Sequence, residues 1–202
     1  MTDDHLIGHL AHEPADDEMA ELHTRLASAA QRERVLDVAF RIVDTPVGPL
    51  LVAATEVGVL RVAFAVEDHD VVLQRLSDAV SPRILRAPAR LDRVARELDE
   101  YFAGARKRFD VALDWRLSAG FRSTVLHHLP EIGYGHTASY AVVAELAGNP
   151  KAVRAVGTAC ATNPLPVVVP CHRVVRSDGS MGGYLGGVEA KRTLLSLEGA
   201  AA

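Results

Sequence analysis

The sequence predicts an α+β protein: a small N-terminal α/β domain with an antiparallel sheet, followed by a mostly helical domain built on a helix-turn-helix. Three observations carry this. Three stretches between residues 35 and 66 (VLDVAFRIVD, PLLVAATE and VGVLRVAFAV) are rich in Val, Leu and Ala and are divided by turn signals at Pro46, Gly48, Pro49 and Gly58. Residues 68–80 and 91–103 then carry helical periodicity. Further on, a helical run stops at Gly148-Asn149-Pro150 and restarts at once, the outline of two helices joined by a tight turn.

Taken in order, residues 1–34 form an acidic extension with eight Asp/Glu, three Lys/Arg and four of the nine histidines. His5, His9 and His12 have helical spacing, but polar surroundings without cysteines favour a solvated segment over a metal site. Met19, Leu22, Leu26 and Ala29 follow a helical stripe that suits packing on the adjoining domain. A structural α/β domain is expected over 35–112, as a meander and two helices. Gly104 stops the second helix, and Arg106-Lys107-Arg108 forms a solvated end beyond it. No residue of this half suggests chemistry.

The second domain is expected over 113–202. It opens with a short helix presenting Phe121, Val125 and Leu129. A helix capped by Ser139 and closed by Gly148 follows, then a third with Pro150 in or near its first turn. Arg154 stands on that third helix among small residues. The last helix has an apolar face of Val188, Leu194, Leu195 and Leu197.

Composition narrows the function. A hydrophobic content of 49% suffices for real cores, and no apolar run nears the ~18 residues of a membrane span. With no N-terminal signal pattern and only two cysteines, Cys160 and Cys171, a cytoplasmic protein is expected. The net charge of −4 hides an asymmetry: +3 beyond residue 115 and −7 before it, so a polyanion would meet the C-terminal half.

Candidate chemistry lies in VVVPCHRVV, residues 167–175. A free thiol titrates near ~8.5 and becomes a nucleophile when a base or positive field stabilises its thiolate. His172 or Arg173 suits that role beside Cys171. A cysteine after a run of valines equally suits a buried strand end, and the four residues alone leave both open. Downstream, Ser177-Asp178-Gly179 marks a turn, and glycines 182, 183, 186 and 187 flank Tyr184-Leu185 as the wall of a pocket. Glu198 is a carboxylate able to fold back on His172, and a base oriented by a third group is the general logic of an activated nucleophile.

The run from SYAVVAELAGNP through ATNPLPVVVPCHRVVRSDG to GGYLGG and KRTLLSLEG resembles the O6-alkylguanine-DNA alkyltransferases, or methylated-DNA–protein-cysteine methyltransferases. TPVGPLLVAAT and LDEYFAG extend the resemblance to roughly residues 38–199. It implies a ribonuclease H-like first domain and a winged-helix second one. The reaction implied is an irreversible, single-turnover transfer of an alkyl group from guanine O6 to Cys171, with O4-methylthymine as a further lesion. By motif position His172 is the base, linked to the thiol by a water, Glu198 orients it, and Asn163 braces the turn. Tyr140 donates to the extruded guanine, Tyr184 and Leu185 line the pocket, and Val174 offers its carbonyl to the guanine amine. Arg154 fills the gap in the base stack, reached through the minor groove, and Ser139 and Arg173 join the substrate- and DNA-binding set. No metal or organic cofactor is implied. The partner implied is double-stranded DNA bearing the lesion, bound by a monomer, with cooperativity on DNA left open.

Leu185 departs from the family's usual serine, Val125-Leu126 from Val-Trp, Gly133-Tyr134-Gly135-His136 from Pro-Tyr-Gly-Glu, and Thr193 from an aromatic. Two rival readings remain: a lesion-recognition module without transfer, and a regulator switched by methylation of Cys171. The intact Cys171, His172 and Glu198 set argues against the first. The lack of further cysteines in 1–34 argues against the second.

Overall fold

A computed structural model describes residues 16–200. The His5, His9 and His12 spacing lies outside them. Helix α1 (Asp16–Arg32) leads into strand β1 (Val38–Val43), followed by β2 (Leu50–Ala54) and β3 (Val59–Phe64). These pair as the expected antiparallel meander, Phe40 opposite Ala53 and Val52 opposite Val62. A fourth strand, β4 (Ile84–Arg86), adds to β1 in parallel, so the sheet is mixed, in the order β3-β2-β1-β4. Three residues are too few for a period-2 pattern to register.

Helix α2 (His69–Ala79) covers one face of the sheet, with Val72 and Leu76 against Val38, Leu51, Leu60 and Ala63. Helix α3 (Asp92–Phe102) covers the other, contributing Val94, Ala95, Leu98 and Tyr101 to the main core. Covered on both sides, β2 is buried along its whole length, which explains its unbroken apolar run. Helix α1 reaches the main core through Ala27 and Ala30, while Met19, Leu22 and Leu26 are exposed. The expected stripe is thus reversed: small residues let the helix backbone approach the sheet, and the large ones are left outside. The basic cluster is also corrected in part, because Arg106 pairs with Glu97 and Glu100 rather than facing water alone.

The C-terminal half packs α4 (Gly120–His128), α5 (Tyr140–Leu146) and α6 (Val153–Ala161) on one another. Val125 and Leu129 are fully buried as expected. Ser139 caps α5 by accepting from the Val142 N–H at 3.2 Å, and Gly148, at φ 76°, ends it. Helix α6 begins three residues after Pro150, because the chain first makes a turn in which the Ala152 N–H donates to the Asn149 carbonyl. Two-residue strands β5 (Ala138–Ser139) and β6 (Val174–Val175) pair in parallel, and α7 (Gly187–Leu197) closes the chain. The buried face of α7 is Ala190, Lys191, Leu194 and Leu195. Val188, expected on it, is exposed.

The two halves share the main core and are tied along β3. The Val62 N–H donates to the Pro164 carbonyl at 2.9 Å, so the segment leading into Cys171 is bonded to the outer edge of the sheet. Arg61 donates to the same carbonyl at 3.1 Å and pairs with Glu67. At the end of β3, the Phe64 ring meets Tyr184 edge to face at 5.6 Å and lies against Gly186, where a Cβ would come within 2.6 Å of the ring. Gly186→Ala is therefore expected to displace Phe64 from Tyr184 and lower stability by about 1–3 kcal/mol, the usual cost of overpacking. Urea denaturation would check this, and an unchanged midpoint would refute the contact.

Candidate active site

The site begins with a buried carboxylate. Glu198 sits just past the end of α7, its side chain withdrawn from solvent, with donors on both oxygens. Oε1 receives Nε2–H of His172 at 2.9 Å, Nη2 of Arg173 at 3.0 Å and the Tyr101 hydroxyl at 2.6 Å. Oε2 receives Nε of Arg173 at 2.9 Å and the Gly135 N–H at 3.3 Å. Burial alone would raise the Glu198 carboxyl, but hydrogen bonds from His172 and Arg173 bring it down to about 2. It is therefore ionised, and the fixed charge of Arg173 sustains it.

Arg173 was expected at the substrate or DNA. It is instead turned inward, 6% exposed, with Nη1 donating to the Ile132 carbonyl at 2.6 Å. The reason is the carboxylate: a buried anion needs a cation, and the bidentate guanidinium matches it.

Cys171, His172 and Arg173 occupy a single 3-10 turn. The imidazole is fully buried, and burial lowers its pKa more than the Glu198 carboxylate raises it, so it is neutral. With Nε2–H held by Glu198, the lone pair lies on Nδ1, a buried atom without a hydrogen-bond partner among the described residues. Cys171 is 2% exposed, and burial pushes its thiol up to about 11 against the opposing effects of Asn163 and Lys191. The Asn163 amide donates to Sγ at 3.1 Å and to the Val169 carbonyl at 2.9 Å, while its oxygen accepts from the Leu165 N–H at 3.0 Å.

This bracket holds the loop 165–169 in a tight, buried turn. Val167 takes φ 72°, a conformation that costs a β-branched residue about 1–3 kcal/mol. The valines before Cys171 are therefore a strained turn and not a strand end.

A cleft of 530 Å³ lies between Tyr140, Arg176, Gly182, Gly183, Tyr184 and Leu185. The Tyr140 hydroxyl lies so near Gly182 that a Cβ there would come within 2.4 Å of it. Burial raises the hydroxyls of both tyrosines; for Tyr140 the next causes are Cys160 and then Cys171, and for Tyr184 the next is Cys171. Tyr184 also meets the His172 ring edge to face at 6.3 Å. Val174 pairs in β6 with Ala138, and its carbonyl accepts from Nζ of Lys191 at 2.6 Å. Arg154 stands exposed on the first turn of α6, apart from this cluster.

Residues 38–115 match the family described as 6-O-methylguanine DNA methyltransferase, ribonuclease-like domain, and residues 120–200 match its DNA binding domain. A methylated-DNA–protein-cysteine methyltransferase of Methanosarcina acetivorans is 38% identical over 160 residues, covering 79% of this chain and 97% of that one. This chain belongs to the 6-O-methylguanine DNA methyltransferase family. A second methyltransferase, from Mycolicibacterium paratuberculosis, is 37% identical over 80% of this chain and 92% of its own. Among solved structures, the Mycobacterium tuberculosis O6-methylguanine methyltransferase superposes with a TM-score of 0.70 at 35% identity, covering 82% of this chain and 94% of that one. The M. tuberculosis OGT protein in complex with DNA gives 0.68 at 34% identity, covering 79% and 92%.

Two residues of this methyltransferase site escaped the sequence reading. Tyr101 comes from the half in which no chemistry was expected. It lies 97 positions before Glu198 in the LDEYFAG stretch, where nothing in its neighbours assigns it a role at the site. Lys191 carried a signal that was passed over: a lysine in register with Leu194 and Leu195 stands on the buried face of a helix, and it is fully buried.

The carboxylate also sets a pH dependence. Glu198 is held at about 2 against an ordinary 4.5, so its stabilising effect is complete above pH 4.5 and is lost as the pH falls toward 2. Glu198→Gln strands the buried Arg173 and is expected to cost about 3–5 kcal/mol at pH 7. The deficit should shrink below pH 4.5, as read by urea denaturation across pH. A deficit independent of pH would refute the ionised pair.

Proposed function

We propose that this protein repairs alkylated DNA directly, moving the alkyl group of O6-alkylguanine in double-stranded DNA onto its own Cys171. The observation that carries the reading is a buried thiol hydrogen-bonded by Asn163, in the same turn as a neutral histidine whose Nδ1 has no hydrogen-bond partner among the described residues. Family membership supports it. The thiol proton passes through a water to Nδ1 of His172, and the imidazolium formed is met by Glu198. Sulfur attacks the alkyl carbon, an S–C bond forms, and the C–O bond breaks with its electron pair leaving on the guanine. The guanine takes up a proton from Tyr140 at the cleft, and the proton held by His172 is released through water to restore the phenol.

The reacting carbon is out of reach inside a duplex, so the nucleotide is extruded into the cleft beside Tyr184 and Leu185. The Val174 carbonyl, already engaged by Lys191, has a second lone pair for the guanine amine. Residues 35–112 act as the supporting domain and 113–202 as the domain that binds DNA and accepts the alkyl group. The partner is DNA, engaged by a monomer whose C-terminal half carries the positive charge. Ser139, the cap of α5, is assigned to the DNA-binding set, and two free cysteines suit the cytoplasm. No helix among the described residues is long and apolar enough to cross a membrane. A recognition module without transfer is not favoured, because it has no use for the Asn163-bonded thiol.

Mixing the protein with duplex DNA carrying O6-methylguanine is expected to add one methyl, about 14 Da, to the peptide containing Cys171 and then stop, because a thioether has no route back to a thiol. Mass spectrometry reads both site and stoichiometry; label on Cys160, or more than one equivalent, would overturn the reading. Burial holds the Cys160 thiol much further above its ordinary range than that of Cys171.

Arg154→Ala is expected to slow transfer from duplex DNA by about 10- to 100-fold, because the gap left by extrusion loses its filler. Transfer from a free alkylguanine base should stay within about twofold. Equal losses on both substrates would place Arg154 in the chemistry instead.

A further inference from the structure

We propose that Tyr101 is a positioning residue for alkyl transfer: its hydroxyl, delivered from α3 of the N-terminal half, fixes the Glu198 carboxylate that aims His172. The inference rests on the reading of Cys171 as alkyl acceptor and extends it to a residue of the N-terminal half, outside the PCHRV block.

The geometry is specific. The hydroxyl donates to Oε1 of Glu198 at 2.6 Å, the same oxygen that accepts from Nε2 of His172. It also lies 3.5 Å from Nε2 itself. Tyr101 is 1% exposed, and its ring is held by Phe102, Phe109 and Tyr134 at centroid distances of 5.3, 5.2 and 6.2 Å. Such a ring cannot swing, so the hydroxyl is a fixed point to which the carboxylate adjusts. Burial and the Glu198 charge keep the phenol protonated, so it always donates.

Arg173 grips the carboxylate along one side through Nε and Nη2. That pair fixes the plane of the carboxylate but supplies no donor from the α3 side. Tyr101 supplies it, which keeps Oε1 directed at Nε2 and the imidazole lone pair at Nδ1. It also draws charge from Oε1, which limits how strongly Glu198 holds a proton on the imidazole. The groups facing His172 are Glu198 and Lys191 from α7, Arg173 and Cys171 from its own turn, Tyr184 from the glycine-rich loop, and Tyr101 from α3. Among them Tyr101 is the neutral donor to the carboxylate that comes from the N-terminal half.

The test is single-turnover transfer to Cys171 from O6-methylguanine duplex DNA and from the free base O6-benzylguanine, between pH 5 and 9, for the wild type and Tyr101→Phe. Losing one hydrogen bond to a charged group should slow both reactions by about tenfold, with DNA affinity within about twofold and the endpoint still one alkyl group. Without the hydroxyl, Glu198 is more basic and favours the imidazolium, so the acid limb of the rate profile should move to higher pH. If Tyr101→Phe folds poorly, 3-fluorotyrosine at position 101 keeps the shape, strengthens the donor and should move that limb to lower pH.

Leu76→Ala opens a cavity in the separate core under α2 and leaves the Tyr101 cluster intact; it should lower the melting temperature and keep both rates within about twofold. The inference is overturned if Tyr101→Phe has wild-type rates and pH profile, if it slows only the DNA reaction, or if Leu76→Ala slows transfer equally. A wild type that transfers nothing overturns the parent reading as well.

Discussion

A carboxylate taken out of water is the constraint on which the rest of this structure depends. Burying an unpaired ion costs several kcal/mol, and Glu198 is withdrawn from solvent at the end of the last helix. The fold answers with five hydrogen bonds from four residues in three parts of the chain: Arg173 twice, His172, Tyr101 and the Gly135 backbone. Each donor is thereby pinned relative to the others. The end of α7, the 3-10 turn, helix α3 and the turn before β5 meet at one point, and Cys171 stands next to it in the chain.

The resting thiol is guarded and not primed. Burial raises Cys171 to about 11 and keeps His172 neutral, so the proton stays on sulfur until something else changes. What favours the thiolate is local and modest: the Asn163 amide at 3.1 Å and the charge of Lys191. A site of this kind ties reactivity to what occupies the cleft, since a bound base excludes bulk water from it and brings the alkyl carbon to sulfur. Cys160 is also a buried thiol but has neither the amide donor nor the histidine, and it remains a packing residue of α6.

Much of this was legible because the signals were local. The Cys171-His172 pair, the Ser139 cap, the Gly148 stop and the three meander strands each rest on residues within a few positions of one another. Glu198 was read as a carboxylate able to fold back on His172 and Asn163 was reached through motif resemblance, and their bonds to Nε2 and Sγ give both readings a geometry. What escaped depends on distance or on size. Tyr101 acquires its meaning only when α3 meets the end of α7. Helix α1 buries Ala27 and Ala30, which a stripe of large residues conceals. The valine run before Cys171 has the composition of a strand, and only the Asn163 bracket reveals that Val167 turns the other way.

Strand β3 carries a consequence for how such a protein can change over generations. Its outer edge is capped by the Pro164 carbonyl, its last residue supports Tyr184, and the neighbouring helix α3 holds Glu198. The N-terminal half is therefore not a detachable passenger. A recombination event that joined the first half of one relative to the second half of another would inherit a working interior only if Val62, Phe64 and Tyr101 still met their counterparts. Sequence drift in the sheet is bounded by a reaction taking place in the other half of the molecule.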